Sequence, residues 1–211
     1  MKRTLLSLAL AATALSPMLA TAASSVQMKV TGTIFPASCE ITMPGGTTVD
    51  YGKIASGSLS QDKATLLGDD VRANIQVSCD APTMFAIKPT DARSGTAIAS
   101  TGKDSTYLYG LGQAGGVNVG AYTVSFVNAK GDGKTVNVIR MDESGKNPAK
   151  FAEVLPNKLS GFGDGSGSEV VPHKLVTTDV KMATYVEKAS ALPLTGDIKL
   201  DGLTTFELVY L

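Results

Sequence analysis

At 211 residues, with 19 Lys and Arg against 19 Asp and Glu, one histidine and two cysteines, the chain has no charge excess to draw it to nucleic acid or anionic lipid. Its basic residues are scattered and never form a run. Residues 1–22 read as an export leader, with Lys2 and Arg3 at the positive end, an apolar stretch over 5–15, Pro17, and the small-residue cleavage site Ala20-Thr-Ala22. The apolar stretch is too short to span a membrane and no second one follows. The expected product is therefore exported, with no membrane span, and covers 23–211, which is 211 less 22, or 189 residues. Without Lys2 and Arg3 the 19 basic residues become 17 against 19 acidic ones, a net charge of −2. That length suits one domain burying roughly 70% of its unfolded surface.

The mature chain opens on residues 26–41. Val26, Met28, Val30 and Ile34 alternate with Gln27, Lys29, Thr31 and Thr33, the two-residue period of a half-buried strand. Pro36 breaks the ladder ahead of a second strand anchored by Cys39. Cys39 and Cys79 are an even pair in an exported chain, which most simply makes one disulfide. Closing that loop contributes roughly 3–4 kcal/mol on the chain-entropy account. Residues 43–46 predict a turn and 47–52 a short strand. Residues 56–70 read as a polar loop, with a short helical turn at 64–67. Val71, Ala73, Ile75 and Val77 alternate into Cys79, and 84–88 is a strand stopped by Pro89.

Residues 90–120 are rich in Gly, Ser, Thr and Ala, with a strand expected only within 107–112. In 120–128, Tyr122, Val124 and Phe126 share a face. Residues 130–133 are a hairpin turn and 135–141 the return strand. A polar loop over 142–148 and a flexible Gly/Ser stretch over 161–168 follow. Strands are then expected over 175–180, 183–188, 192–200 and 204–211. No segment keeps apolar residues at helical spacing through three turns. Short strands punctuated by turns predict an all-β sandwich, one domain over 23–211.

Catalytic chemistry has no positive support, and no cofactor or metal is expected. His173 is the single histidine and lacks a Gly-x-Ser-x-Gly partner motif, so it reads as an ordinary strand or surface residue. Gly131-Asp-Gly-Lys-Thr135 looks like the end of a phosphate loop, but Asn128 stands where its first glycine belongs. Asp164 lies among glycines without the alternating acids of a calcium loop. Tyr107, Tyr109 and Tyr122 fit a sugar-binding face or, more simply, half-buried strands.

At the far end Phe206, Leu208 and Tyr210 alternate in a final strand that leaves no sequence to cover its free edge. With a short alternating strand at the other end, the pattern suggests β-strand addition between subunits. The simpler alternative pairs the N-terminal strand within its own domain.

Gly32-Thr-Ile-Phe-Pro-Ala-Ser-Cys39-Glu-Ile41 resembles the opening of chaperone–usher pilins. Thr205-Phe-Glu-Leu-Val-Tyr210-Leu211 is similar to their ending, and Gly196 stands near the glycine that often starts that ending. The Cys39–Cys79 spacing suits the pilin disulfide. More narrowly, Val30-Thr-Gly-Thr-Ile, Gly45-Gly-x-x-Val-Asp-Tyr-Gly52, Tyr109-Gly-Leu-Gly112 and Val119-Gly-Ala-Tyr-Thr-Val124 resemble the fimbrial-type exported proteins of domain of unknown function 1120.

The resemblance implies an immunoglobulin-like sandwich lacking its last strand. A periplasmic chaperone would pair with the strand of Gly196, Phe206, Leu208 and Tyr210. An outer-membrane usher would then exchange it for the donor segment 23–31 of another pilus subunit, with Val26, Met28 and Val30 as donor side chains. The product is a structural subunit of a cell-surface fimbrium supporting adhesion. Two alternatives stand beside it: a minor or tip subunit binding a host glycan or protein receptor, and a free-standing periplasmic sandwich. Only 23–31 precede Gly32, a shorter extension than pilins usually carry.

Overall fold

Alternating apolar residues dominate the chain from residue 71 onward, and the structure turns that alternation into ladders. The computed structural model describes residues 26–33 and 38–211. The leader, its cleavage site, Ile34 and the break at Pro36 lie outside them. The chain divides into two units, Met1–Phe35 and Pro36–Leu211. In the first, residues 26–33 form no strand, contrary to expectation. Alternation gives that segment two faces, but a ladder also needs a second strand.

The second unit carries fourteen strands: β1 (Cys39–Thr42), β2 (Thr65–Thr83), β3 (Phe85–Asp91), β4 (Tyr109–Gly110), β5 (Gln113–Ala114), β6 (Val117–Asn118), β7 (Gly120–Gly131), β8 (Lys134–Thr135), β9 (Val138–Met141), β10 (Ala149–Lys150), β11 (Glu153–Val154), β12 (Leu159–Phe162), β13 (His173–Val186) and β14 (Thr204–Tyr210). One sheet runs β1-β2-β13-β7-β11, with β4 and β8 also on β7; the other runs β10-β9-β12-β3-β14. β5 and β6 form a separate hairpin. Ile75, Val77, Val124, Phe126, Val176 and Val180 of the first sheet meet Phe85, Ile87, Val138 and Phe162 of the second in one core. The fold is an all-β sandwich, as the patterning predicts.

Several boundaries differ from the sequence reading. Residues 47–52 form no strand: Gly46 and Gly52 have positive φ, and the Gly52 N–H donates to Asp50 Oδ1 at 2.7 Å. Residues 64–67 are not helical, because β2 already begins at Thr65. Its polar stretch at 69–72 is held by β13, where Lys181 meets Asp69 at 3.0 Å. Pro89 does not stop β3, which continues to Asp91. The Pro89 carbonyl accepts from Asn157 N, so its nitrogen points the same way, beyond the end of β12, and no ladder bond is lost.

The expected return strand over 135–141 is two strands, β8 in the first sheet and β9 in the second, so the chain changes sheets at Val136–Asn137. The flexible stretch is shorter than expected, since Gly161 and Phe162 belong to β12 and are buried. The two strands expected over 175–188 are one, β13, with register shifts along it. Residues 192–200 form no strand; Leu192, Ile198 and Leu200 instead pack with Leu59 and Val186 over one end of the sandwich. Asp132 and Gly133, at φ 50° and 81°, make the predicted hairpin turn between β7 and β8. Cys39 and Cys79 form the expected disulfide between directly opposed residues of β1 and β2.

Two exposed carboxylates organise their loops. Asp142 Oδ1 accepts from the Ser144 hydroxyl and from the Ser144 and Lys146 N–H groups. Those bonds, the Ser144 hydroxyl first, hold its pKa at about 2. Asp164 is held at about 2 by the Gly167 N–H first, then the Ser166 N–H and hydroxyl; its oxygen caps a turn. A carboxylate whose folded pKa lies below its unfolded value of about 3.9 stabilises the fold above that value and stops doing so as the pH falls through the folded one. Denaturant titrations from pH 7 down to 2 should therefore show stability falling between about pH 4 and 2. The double variant Asp142→Asn, Asp164→Asn should flatten that limb, and an unchanged limb would contradict the assignment.

Candidate functional site: an open seam between the sheets

β1 and β14 are the outer strands of different sheets. Each bonds to one neighbour among the described residues, β1 to β2 and β14 to β3. They lie on the same side of the sandwich, because the Cys39 N–H donates to the Tyr210 hydroxyl at 2.9 Å. Between them the sheets part into a groove of about 700 Å³. Its floor is apolar: Ala73 of β2, Tyr122 and Val124 of β7, and Val180 and Met182 of β13. Its lips are Ile41, Met43 and residues 47–49 on one side and residues 200–206 on the other.

The alternation of β14 sets how it meets the groove. Phe206 and Leu208 turn inward and are partly buried against the core, and Phe206 packs on Phe126 with ring centroids 6.0 Å apart. Val209 points the other way, onto Ala86, Ile139 and Met141. Tyr210 shares the inward face but remains 51% exposed, and its hydroxyl closes the disulfide end of the seam. At the other end the Arg93 guanidinium donates two bonds to Asp201, at 2.9 and 3.0 Å. The Arg93 hydrogen bond holds the Asp201 pKa below its usual range. Such an exposed pair positions the lip more than it stabilises the fold. Tyr122 stacks on Tyr109 at 5.3 Å, and its hydroxyl shares a 2.7 Å hydrogen bond with Thr204; burial raises its pKa to about 12.

Of the residues singled out from sequence, the structure brings Cys39, Phe206 and Tyr210 to this seam, with Leu208 beside them on β14. Gly196 is in a bend ahead of β14 and not on the strand. Val26, Met28 and Val30, in the other unit, are 97%, 88% and 83% exposed. Tyr109 and Tyr122 are buried and stacked in the core, with Tyr122 also reaching the groove floor, while Tyr107 ends a short helical turn ahead of β4, so the three share no exposed face. His173 is buried at the start of β13, with Nε2 3.0 Å from the Gly163 carbonyl and Nδ1 3.5 Å from Asp132. The sequence reading missed the floor contributed by Met182 and the lip at residues 200–203. Met182 continues the alternation of Val176 and Val180 along β13, but Thr177, Thr178, Asp179 and Lys181 make the strand look as if it ends at Val180.

An alternating extended segment fits such a seam: strand edges supply hydrogen bonds and the floor takes every second side chain. What the geometry defines is an all-β sandwich with an apolar seam between two sheet edges. Residues 28–141, more than half of the chain, match the family described as protein of unknown function (DUF1120), and the chain belongs to that family. It is also similar to Protein GltF of Escherichia coli (strain K12), 27% identical over 166 residues, which are 69% of this chain and 62% of that protein. The chain thus aligns to less than two thirds of that relative's length. The family match includes β1 but ends before β14.

Phe206→Ala removes a partly buried ring from the core and should cost about 2–3 kcal/mol. Tyr210→Phe removes one half-exposed hydrogen bond and should cost about 0.5–1 kcal/mol. Urea denaturation of both variants checks the order; a larger loss for Tyr210→Phe would mean that the latch, not the packing, holds β14.

Proposed function

We propose that this protein is a structural subunit of a surface fimbrium, exported to the periplasm and assembled by donor-strand exchange. The observation that carries this reading is the apolar seam of about 700 Å³ flanked by the edges of β1 and β14. The sequence supplies a matching occupant, since Val26, Met28 and Val30 put apolar side chains at every second position. In an assembled fibre, that segment of one copy lies along β14 of the next. Its backbone bonds to strand edges, and its alternate side chains cover Ala73, Met182 and Phe206. Before assembly, a periplasmic chaperone occupies the same seam and an outer-membrane usher directs the exchange. The match to the family described as protein of unknown function is compatible with this role, and the resemblance of both end motifs to pilins supports it.

The test compares residues 32–211 with and without a peptide copying 23–34. A ligand that binds only the folded state stabilises it by mass action, by about 2.7 kcal/mol at a hundredfold excess over Kd. The peptide should raise the thermal midpoint of the truncated protein, and a peptide carrying Met28→Asp should not. A midpoint indifferent to both peptides would contradict strand exchange.

A further inference from the structure

At the edge of the second sheet opposite β14, a smaller cavity of about 300 Å³ is lined by Arg140 and Met141 of β9, Ala149 of β10, and Asp142, Phe151 and Lys158 of the adjoining loops. Arg140 is its central group. The guanidinium carbon lies 3.7 Å from the centre of the Phe151 ring and 5.8 Å from that of Tyr107. Stacking on aromatic rings holds the plane of a guanidinium but engages its face, so the N–H donors on its rim still need acceptors. Among the described residues no carboxylate lies within 4.0 Å of Arg140. Its Nη1 is shielded from solvent without any acceptor.

Directly across the ladder from Arg140 is Ser160, fully buried, and its Oγ also has no hydrogen-bond partner. Opposed residues on antiparallel strands present their side chains on one face, about 5 Å apart at Cβ. Two unpartnered polar groups at neighbouring positions are costly for a fold unless something answers them.

The carboxylate nearest in sequence does not answer them. Asp142 Oδ1 is taken by Ser144 and Lys146, and Oδ2 accepts from Asn147 Nδ2 at 2.9 Å. Lys158 also lines the cavity and has no carboxylate partner among the described residues. Arg140 and Lys158 against Asp142 leave one positive charge, which suits a monoanion. A planar fork of N–H donors matches the two oxygens of a carboxylate better than it matches a spherical ion. The cavity volume is at the small end of the range for ligand pockets, the size of a single sugar ring or a small organic acid.

We propose that this cavity is a binding site for a small monocarboxylate, with Arg140 as the anion-binding group and Lys158 as a second cation. The site is independent of the seam and of the fimbrial reading. A carboxylate there arrives either on an acidic sugar or as a free organic acid, and the test separates the two.

The folded protein, labelled with nitrogen-15, is titrated with glucuronate, glucose and acetate in turn. Glucuronate should shift the Arg140 Nε–H and the Phe151 and Lys158 amides along a saturating curve, and glucose should not. Tighter binding of glucuronate than of acetate assigns an acidic sugar; equal binding assigns a free carboxylate. Arg140→Met keeps the bulk on Phe151 and should weaken binding by about tenfold or more, the cost of losing a charge-assisted pair. Lys158→Gln leaves the stack intact and should weaken binding severalfold, which gives a readout should Arg140→Met fail to fold. Glucuronate acting no differently from glucose, or unchanged affinity in Lys158→Gln and in folded Arg140→Met, would overturn the proposal.

Discussion

The two outer strands, β1 in one sheet and β14 in the other, each with a single neighbour among the described residues, are the constraint on which the seam side of this protein depends. A sandwich is stable when both inner faces are covered, and here Ala73, Met182 and Phe206 are covered only in part along that side. An open edge beside an apolar floor invites association with another strand. The features around the seam keep it open without letting it spread. The Cys39–Cys79 disulfide ties β1 to β2, and Tyr210 ties β14 to β1 at the same end. On the chain-entropy account the disulfide is worth about 4 kcal/mol, enough to keep a four-residue edge strand in place.

The opposite edge of the second sheet is built differently. There β9 is flanked by β10, and the chain beyond them folds back over Arg140 through Phe151. One side of the sandwich therefore offers backbone edges and apolar area, while the other offers a fixed cation in a small cavity. The first suits a strand and the second suits a small anion. Because the two lie at opposite edges of one sheet, assembly through the seam leaves the cavity accessible.

Much of the fold was legible because period-two alternation survives wherever one face is buried. Tyr122, Val124 and Phe126 share a face in the sequence and in β7, and Phe206 and Leu208 do so in β14. The disulfide followed from an even pair of cysteines behind a segment that reads as a leader. What stayed hidden has physical causes. Asp69, Asp70 and Arg72 interrupt the first half of β2, and their polarity hides a strand held by its ladder to β13 and by the Lys181–Asp69 ion pair across it. Residues 192–200 are apolar enough for a strand, yet Pro193 and the turn after it make them a cover for one end of the core. The seam was half legible: β14 announced itself, but the floor comes from β13 and β7, which only the topology places beneath it. Nothing in the sequence set Arg140 apart, since its lack of a partner is a property of the packed structure.

The central claim is that the seam receives an extended strand. Hydrogen exchange of residues 32–211, followed with and without the 23–34 peptide, tests this at the backbone. The account predicts that the peptide slows exchange at those amides of β14 that do not bond to β3, while amides in β9 and β10 keep their rates. Peptide binding that leaves every amide of β14 exchanging as before would contradict it.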